Sequence, residues 1–376
     1  MVIQSNTAMR IVFRVDASIQ MGTGHVMRCL TLADALKNQG AECYFICREH
    51  PGNLIGLITQ RGYHVDALPY MDISQEGKLQ NHKVDLAHAS WLGGTQKEDL
   101  RLCVPIVEAL KPDWMVVDHY ALDIQWENVL RPYCKQVMVI DDLADRQHDC
   151  DLLLDQTFGR DLKDYVPRVP TSCEILCGAE YALLRPEFSQ WRDDSLERRE
   201  NSQLKHLLIN LGGVDKDNIT TQILIALKQC SLHSELKITV VMGGTAPWIK
   251  EVCQQAKDMP WITDVMVGVN NMAELMANSD LAIGAAGSTS WERCCLGLPS
   301  IMVVLADNQN MIAKDLHNWG AAISIQQKEI EHNLPVILNQ LSTSQLKRMQ
   351  CKAQQVTEGL GVKILLSYLN SESNSC

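Results

Sequence analysis

The chain has 376 residues, comfortable for two domains of ordinary size and long for a single core. Apolar residues make up 46% and charged residues 21%, the balance of a globular protein, while a net charge of -11 with no clustered basic stretch argues against nucleic acid as a partner. The opening "MVIQSNTAM" lacks the basic start and apolar core of a signal peptide, and no run of about 18 apolar residues suggests a membrane span, so we expect a cytoplasmic protein with no membrane partner.

Short β-rich runs alternate with helical patterns from the start. "RIVFRV" precedes a helix over 25–39, "ECYFIC" a helix near 54–61, and "YHVDAL" a helix within 95–110; "WMVVD" and "QVMVID" then follow. This alternation is the sequence form of βαβ units and predicts an α/β fold, a parallel sheet with helices on both faces. The charged, weakly periodic "QWRDDSLERRENSQ", residues 190–203, reads as an interdomain connection. Alternation then restarts with "HLLIN", a helix over 217–229, "LKITVVM", a helix near 247–256, "ITDVMV", a helix over 271–278, "LAIGAAG", a helix over 289–296 and "PSIMVVL". The last ~45 residues read as helices with a frayed "SESNSC" end. The expected domains are 1–190, 204–356, and a C-terminal helix and tail over 357–376.

Fourteen cysteines are scattered through the apolar stretches, and none is spaced C-x-x-C: "CYFIC" and "CEILC" are the nearest approaches. Reduced thiols fit this usage better than a zinc site. A G-x-G-x-x-G fingerprint fails because Met27 stands where its last glycine belongs, and no G-x-x-x-x-G-K-[ST] is present. The glycines of "MGTGHVMRC" therefore serve something else. His25 falls at the first turn of the predicted helix, where the helix dipole favours neutral imidazole, the form a general base needs. A capping or packing histidine fits the same spacing.

In "GAAGSTSWE", the backbone N–H groups near Gly287, with Ser288 and Thr289, can hold a diphosphate, and Glu292 can accept hydrogen bonds from vicinal ribose hydroxyls. An ordinary capping box is the alternative. Gly212 and Gly213 in "NLGGVDKDN" either face phosphate or only turn the chain. Asp118, Asp141 and Asp142, after two strands, are metal ligands by residue type, but acids at strand ends more often cap helices or orient polar neighbours, and we expect no metal. The eight tryptophans form no base-stacking stripe and read as core.

Taken together, "FRVDASIQMGTGHVMRCLTLADAL", "VVDHYALDIQWE", "IDDLADRQHDCDLLLDQ", "YALLRPEF", "NLGGVDKDN", "GAAGSTSWERCCLGLPSI" and "LADNQ" stand in the order and spacing of one enzyme family. The chain resembles the UDP-2,4-diacetamido-2,4,6-trideoxy-β-L-altropyranose hydrolases of pseudaminic acid biosynthesis, from about Arg10 to beyond Ala313. The resemblance implies a glycosyltransferase-B architecture, two Rossmann-like domains facing a cleft, similar to that of the lipid II N-acetylglucosaminyltransferase. It also implies a UDP-sugar substrate with water as the acceptor, His25 as the catalytic residue, Glu292 as the nucleotide ligand and Asn218 as a ligand of substrate or product. Tyr120 and Asn308 would line the sugar and diphosphate region. Arg14 and Asp16, at the end of the first strand, are candidates for orienting the water or His25, with packing or a salt bridge as the alternative. No cofactor is expected, and we expect a monomer. The resemblance is loosest before Arg10, between 70 and 100, and after 325. Two rivals share the motifs: a glycosyltransferase on the same scaffold and a non-catalytic nucleotide-sugar sensor.

Overall fold

The computed structural model describes residues 8–70, 86–200 and 203–371. Residues 71–85, inside one of the stretches of loosest resemblance, lie outside the described residues, as do the N-terminal segment and the predicted frayed end. The chain divides into two units, one made of the residues up to Leu183 with those from Ile364 on, the other of Leu184–Lys363.

In the first unit the order is β1 (Arg10–Val15), α1 (Gly24–Asn38), β2 (Glu42–Arg48), α2 (Ile55–Gln60), β3 (His64–Leu68), α3 (Gln96–Leu110), β4 (Trp114–Asp118), α4 (Ile124–Leu130), β5 (Gln136–Ile140), β6 (Leu152–Asp155) and β7 (Glu174–Cys177). All seven strands are parallel, in the spatial order β3-β2-β1-β4-β5-β6-β7. The central strand β4, "WMVVD", is buried at every position, as expected of a sheet covered on both faces, where a strand reads as a continuous apolar run and not as an alternation.

The second unit begins with α5 (Pro186–Gln190) and α6 (Arg192–Arg199), and runs through β8 (His206–Asn210), α7 (Ile219–Leu227), β9 (Lys237–Met242), α8 (Ile249–Lys257), β10 (Ile262–Val267), α9 (Met272–Ala277), β11 (Leu281–Ala285), α10 (Thr289–Cys295), β12 (Ser300–Val304), α11 (Asn310–Trp319) and β13 (Ala322–Gln326) to α12 (Ile330–Gln340) and α13 (Thr343–Ala353). Its six parallel strands lie in the order β10-β9-β8-β11-β12-β13. The final helix, α14 (Gly361–Ser371), passes back to the first unit, which takes the chain from Ile364 on.

The stretch 190–203, expected as a connection, is largely helical. Its charges mislead because two of its arginines bond to the free carbonyls at helix ends instead of solvent. Arg192 donates to the carbonyls of Cys295 and Thr357 and, at 2.8 Å, to that of Gln354; Arg199 donates to Met276 O and Ala277 O. The short strands β6, β7 and β13, of four or five residues each, also escape the sequence pattern.

The order of both sheets reverses at a central pair, β1/β4 in the first unit and β8/β11 in the second. Such a switch point, at the carboxyl ends of the strands, is where open α/β sheets bind ligands. In the second unit the loops around it approach so closely that a Cβ on Gly243 would stand 1.9 Å from Gly213 O, and one on Gly284 would stand 2.8 Å from Asn210 O. Backbone cannot swing aside for a methyl group as a flexible side chain can. Gly243→Ala should therefore cost the second unit about 2 kcal/mol or more, seen as an earlier midpoint in its chemical unfolding. Gly244→Ala, whose added carbon meets nothing within 4 Å, should leave the midpoint near that of the parent protein.

Candidate active site

His25 is the second residue of α1, beyond a tight loop in which Ser18 O accepts from Gly22 N, and Gly22 has φ +77°. Arg28 lies one turn further on, on the same side of the helix, and is buried. Both side chains converge on Asp118, the last residue of β4, which pairs in register with Val15 of β1. Asp118 Oδ1 lies 2.6 Å from His25 Nδ1 and accepts from Arg28 Nη2 at 2.7 Å; its Oδ2 accepts from Arg28 Nε at 2.6 Å and from the Cys29 thiol at 3.5 Å.

A carboxylate can only accept, so this contact keeps a proton on Nδ1 and leaves the Nε2 lone pair of the neutral ring available. Burial pushes the Asp118 carboxyl upward, but Arg28 and then His25 outweigh it and hold the group far below the usual carboxylate range. Arg28 also reaches Asp142 Oδ2 at 2.6 Å, and the Tyr120 hydroxyl donates to the same oxygen at 2.7 Å. The Tyr120 ring stands nearly perpendicular to the His25 imidazole, with centroids 4.6 Å apart.

Each of the acids considered as metal ligands bonds a cation or a hydroxyl, although Asp142 Oδ1 is buried with no hydrogen-bond partner. Asp118 and Asp142 are bridged by Arg28, while Asp141 accepts from Arg146 at 2.8 Å and from the Tyr165 hydroxyl at 3.0 Å. Arg14 and Asp16 lie in a separate buried network and make no bond to His25. Arg14 Nη1 donates to Asp16 Oδ1 and its Nη2 to Asp99 Oδ2, both at 2.7 Å; Arg48 Nη2 joins Asp99 Oδ2 at 2.7 Å, and Arg48 N donates to Asp16 Oδ1. The N–H of Ala121 donates to His119 Nδ1, which places that ring's proton on Nε2, 3.2 Å from Asp16 Oδ2. The orienting contact to His25 comes from Asp118 instead. Its sequence signal was an acid closing the strand "WMVVD", and that of Arg28 was its three-residue spacing from His25.

In the second unit the singled-out residues all follow the carboxyl ends of the adjacent strands β8, β11 and β12. Gly212, with φ +91°, and Gly213 form the turn after β8. Asp215 already caps α7, accepting from Ile219 N at 2.8 Å and Thr220 N at 3.0 Å. Asn218, in the left-handed region at φ 53°, keeps a buried Oδ1 with no hydrogen-bond partner. Gly287 borders open space, and Ser288, at the start of α10, makes no side-chain cap bond. Thr289 accepts from buried Arg293 at 3.1 Å, so Glu292 is left without a capping-box partner. Burial raises the Glu292 carboxyl to about 7, against the opposing pull of Arg185, 3.9 Å away, and of Arg293. Asn308 sits in a short 3-10 turn, Asp307–Gln309, after β12.

Both units are doubly wound parallel α/β sheets, the architecture of glycosyltransferase-B proteins, and the first carries a histidine–carboxylate pair at its switch point. Residues 207–362 match the glycosyltransferase family 28 C-terminal domain. Across its length the chain is similar to the UDP-2,4-diacetamido-2,4,6-trideoxy-beta-L-altropyranose hydrolase of Campylobacter jejuni, 26% identical over 83% of this chain and 97% of that protein. It is 25% identical to an uncharacterized protein of Methanocaldococcus jannaschii over 80% of its own length, spanning 56% of that longer protein. The fold is that of MurG of Acinetobacter baumannii, with a TM-score of 0.65 at 19% identity, covering 96% of this chain and 99% of that one. No helix among the described residues is long and apolar enough to cross a membrane.

The Asp118 ion pair has a pH signature. A carboxyl held low in the folded state stabilises it fully above the unfolded value near 4, and that contribution is lost as pH falls from there towards the folded value. Asp118→Asn should cost about 3–5 kcal/mol at neutral pH by leaving Arg28 short of a partner. Between about pH 4 and pH 2 the variant's unfolding free energy should fall less steeply than the parent's; parallel curves in acid denaturation would rule out the ion pair.

Proposed function

We propose that the protein hydrolyses a UDP-linked, N-acylated deoxysugar, of the kind named for the C. jejuni relative, by attack of water on the anomeric carbon. The observation that carries this reading is the His25–Asp118 dyad at the β1/β4 switch point. His25 Nε2 takes a proton from water as the water oxygen bonds to C1; the C1–O bond to UDP breaks, and its electron pair leaves with the diphosphate. Asp118 keeps the imidazole in the required tautomer and balances the charge it gains. Attack opposite the leaving group inverts the anomeric centre. The released sugar would be 2,4-diacetamido-2,4,6-trideoxy-L-altropyranose if the substrate is that of the relative.

The second unit holds the nucleotide in this reading. Backbone N–H groups at Gly212, Gly213, Gly287, Ser288 and Thr289 meet the diphosphate, Glu292 accepts from the ribose hydroxyls, and Asn218 and Asn308 supply further polar contacts. UDP is a good leaving group, so oriented donors suffice to stabilise its growing charge and no metal is needed. The protein acts as a monomer in the cytoplasm.

The family 28 match favours a second reading, a glycosyltransferase that passes the sugar to another acceptor. Incubation with the UDP-sugar alone separates the two: sustained release of UDP marks the hydrolase, and release only on adding an acceptor marks the transferase. In ¹⁸O-labelled water the label should enter C1 of the sugar; label in UDP would mean attack at phosphorus and overturn the mechanism.

His25→Asn should slow turnover by roughly two to four orders of magnitude while leaving UDP affinity nearly unchanged. Turnover close to that of the parent would reduce His25 to a structural role.

For Glu292 the test is pH. A carboxyl with a folded value of about 7 gains its charge, and hence its strength as a ribose acceptor, as pH rises through that value. Binding of a UDP-sugar should therefore tighten between pH 6 and 8 in calorimetry, and Glu292→Gln should abolish that dependence. A variant that keeps the same pH slope would exclude Glu292 from the nucleotide site.

A further inference from the structure

Beside the dyad stands a group of rings that the proton transfer does not use. Residues Ala89–Leu92 form a 3-10 turn in which Leu92 enters the core of the first unit, whereas Trp91 stays half-buried and outside that core. The Trp91 ring stacks on Tyr120 at 5.8 Å with 28° between planes, and the His88 ring lies 4.4 Å from it, tilted at 47°. His88 is also 5.5 Å from Tyr120. Both Trp91 and Tyr120 stand nearly perpendicular to His25, at 77° and 83°.

The turn is held firmly. Gly93 has φ +66°, and a Cβ there would meet His50 Cε1 at 2.8 Å and Arg48 Cδ at 3.0 Å, so the chain is pressed against the buried Arg48. Two residues on, Thr95 and Glu98 form a capping box at the start of α3. Asp99, in the first turn of that helix, bonds to Arg14, Arg48 and the Trp126 indole. The buried charges that leave His25 untouched thereby fix the helix that follows Trp91. Such fixation is unnecessary for a surface ring without a role, and it is what a recognition surface requires.

We propose that Trp91, with Tyr120 and His88, is an aromatic shelf that selects the sugar by its apolar substituents, acyl methyl groups and a deoxy carbon, over sugars carrying hydroxyls at those places; this rests on the hydrolase reading above. Methyl groups leave water at a gain against such rings, whereas a hydroxyl pressed on them loses its water partners without replacement. Burial lowers the imidazole of His88, so the shelf stays uncharged at neutral pH.

The test compares Trp91→Ala and Trp91→Phe with the parent on two probes, UDP-2,4-diacetamido-2,4,6-trideoxy-β-L-altropyranose and UDP-N-acetylglucosamine. In the parent kcat/KM should favour the first. Trp91→Ala should reduce that preference about ten-fold, mainly through KM, while Trp91→Phe keeps most of it. An unchanged preference, or an equal fall on both probes, overturns the shelf. If the parent releases UDP from neither probe, the hydrolase reading fails by itself, and saturation-transfer NMR on the free trideoxy sugar decides the shelf separately. Methyl protons saturated by the parent but not by Trp91→Ala would support it; equal saturation, or none with the parent, would refute it.

Discussion

The first unit depends on one buried carboxylate. Asp118 ends the strand at the centre of a seven-stranded parallel sheet, is 1% exposed, and is bonded to three residues of a single helix, His25, Arg28 and Cys29. A lone ionised carboxylate in that position would be untenable, and a lone guanidinium no less so. Their pairing makes both tolerable and locks the first turn of α1 to the end of β4. Because Arg28 also reaches Asp142, the loop after β5 is tied to the same point. Three adjacent strands thus deliver their carboxyl-end residues to one place, and the histidine's orientation follows from the ion pair instead of being imposed separately.

The two sheets repeat one arrangement with different chemistry at the switch point. In the second unit the corresponding turns are nearly bare: Gly212, Gly213, Gly243, Gly284 and Gly287 replace side chains by backbone. Close approach is the reason, since Gly243 and Gly284 each have a carbonyl oxygen where a Cβ would stand. The first unit instead fills its switch point with charge and aromatic rings. Backbone N–H groups suit a ligand part that carries fixed negative charge, while a positioned imidazole suits a part where protons move. This division of residue types is the physical ground of the proposal that one unit binds nucleotide and the other moves a proton.

Much of this was legible in the sequence, and the exceptions have physical causes. Continuous apolar runs such as "WMVVD" and "LAIGA" announce strands because a doubly covered sheet demands them, and "MGTGH" and "GAAGSTSWE" mark the turns because glycine is what tight backbone approach requires. Composition misled where charge is buried. Arg192 and Arg199 look like a solvated linker but donate to carbonyls at helix ends. Arg14 and Asp16 left two readings open in the sequence, and the fold shows the salt bridge: they are bound to one another, and Arg14 also to Asp99. For Asp118 the sequence shows residue type and not partner, since its partner, Arg28, lies 90 positions away. Trp91 is hidden for a similar reason, since only the fold shows that it stacks on Tyr120 and not in the core.

Buried charge therefore serves two ends in the first unit, and they differ in what they demand of geometry. Around Asp118 the bonds orient His25 through Nδ1 and leave its Nε2 off the carboxylate, while both oxygens of Asp118 are occupied. Around Asp99 both carboxylate oxygens are taken up by Arg14, Arg48 and Trp126; burial pushes the carboxyl upward, but Arg14 and then Arg48 outweigh it and hold it at about 2. Replacing that cluster by apolar side chains of similar volume would cost little stability by the usual accounting of buried ion pairs. What apolar packing lacks is direction. The forked guanidinium of Arg48 donates to Asp99 with one nitrogen and to Pro69 O with another, joining the end of β3 to the start of α3 in one fixed geometry. Trp91 stands eight positions before Asp99, so the directional bonds of the core reach the rings beside His25 from the α3 side, through the capping box at Thr95 and Glu98.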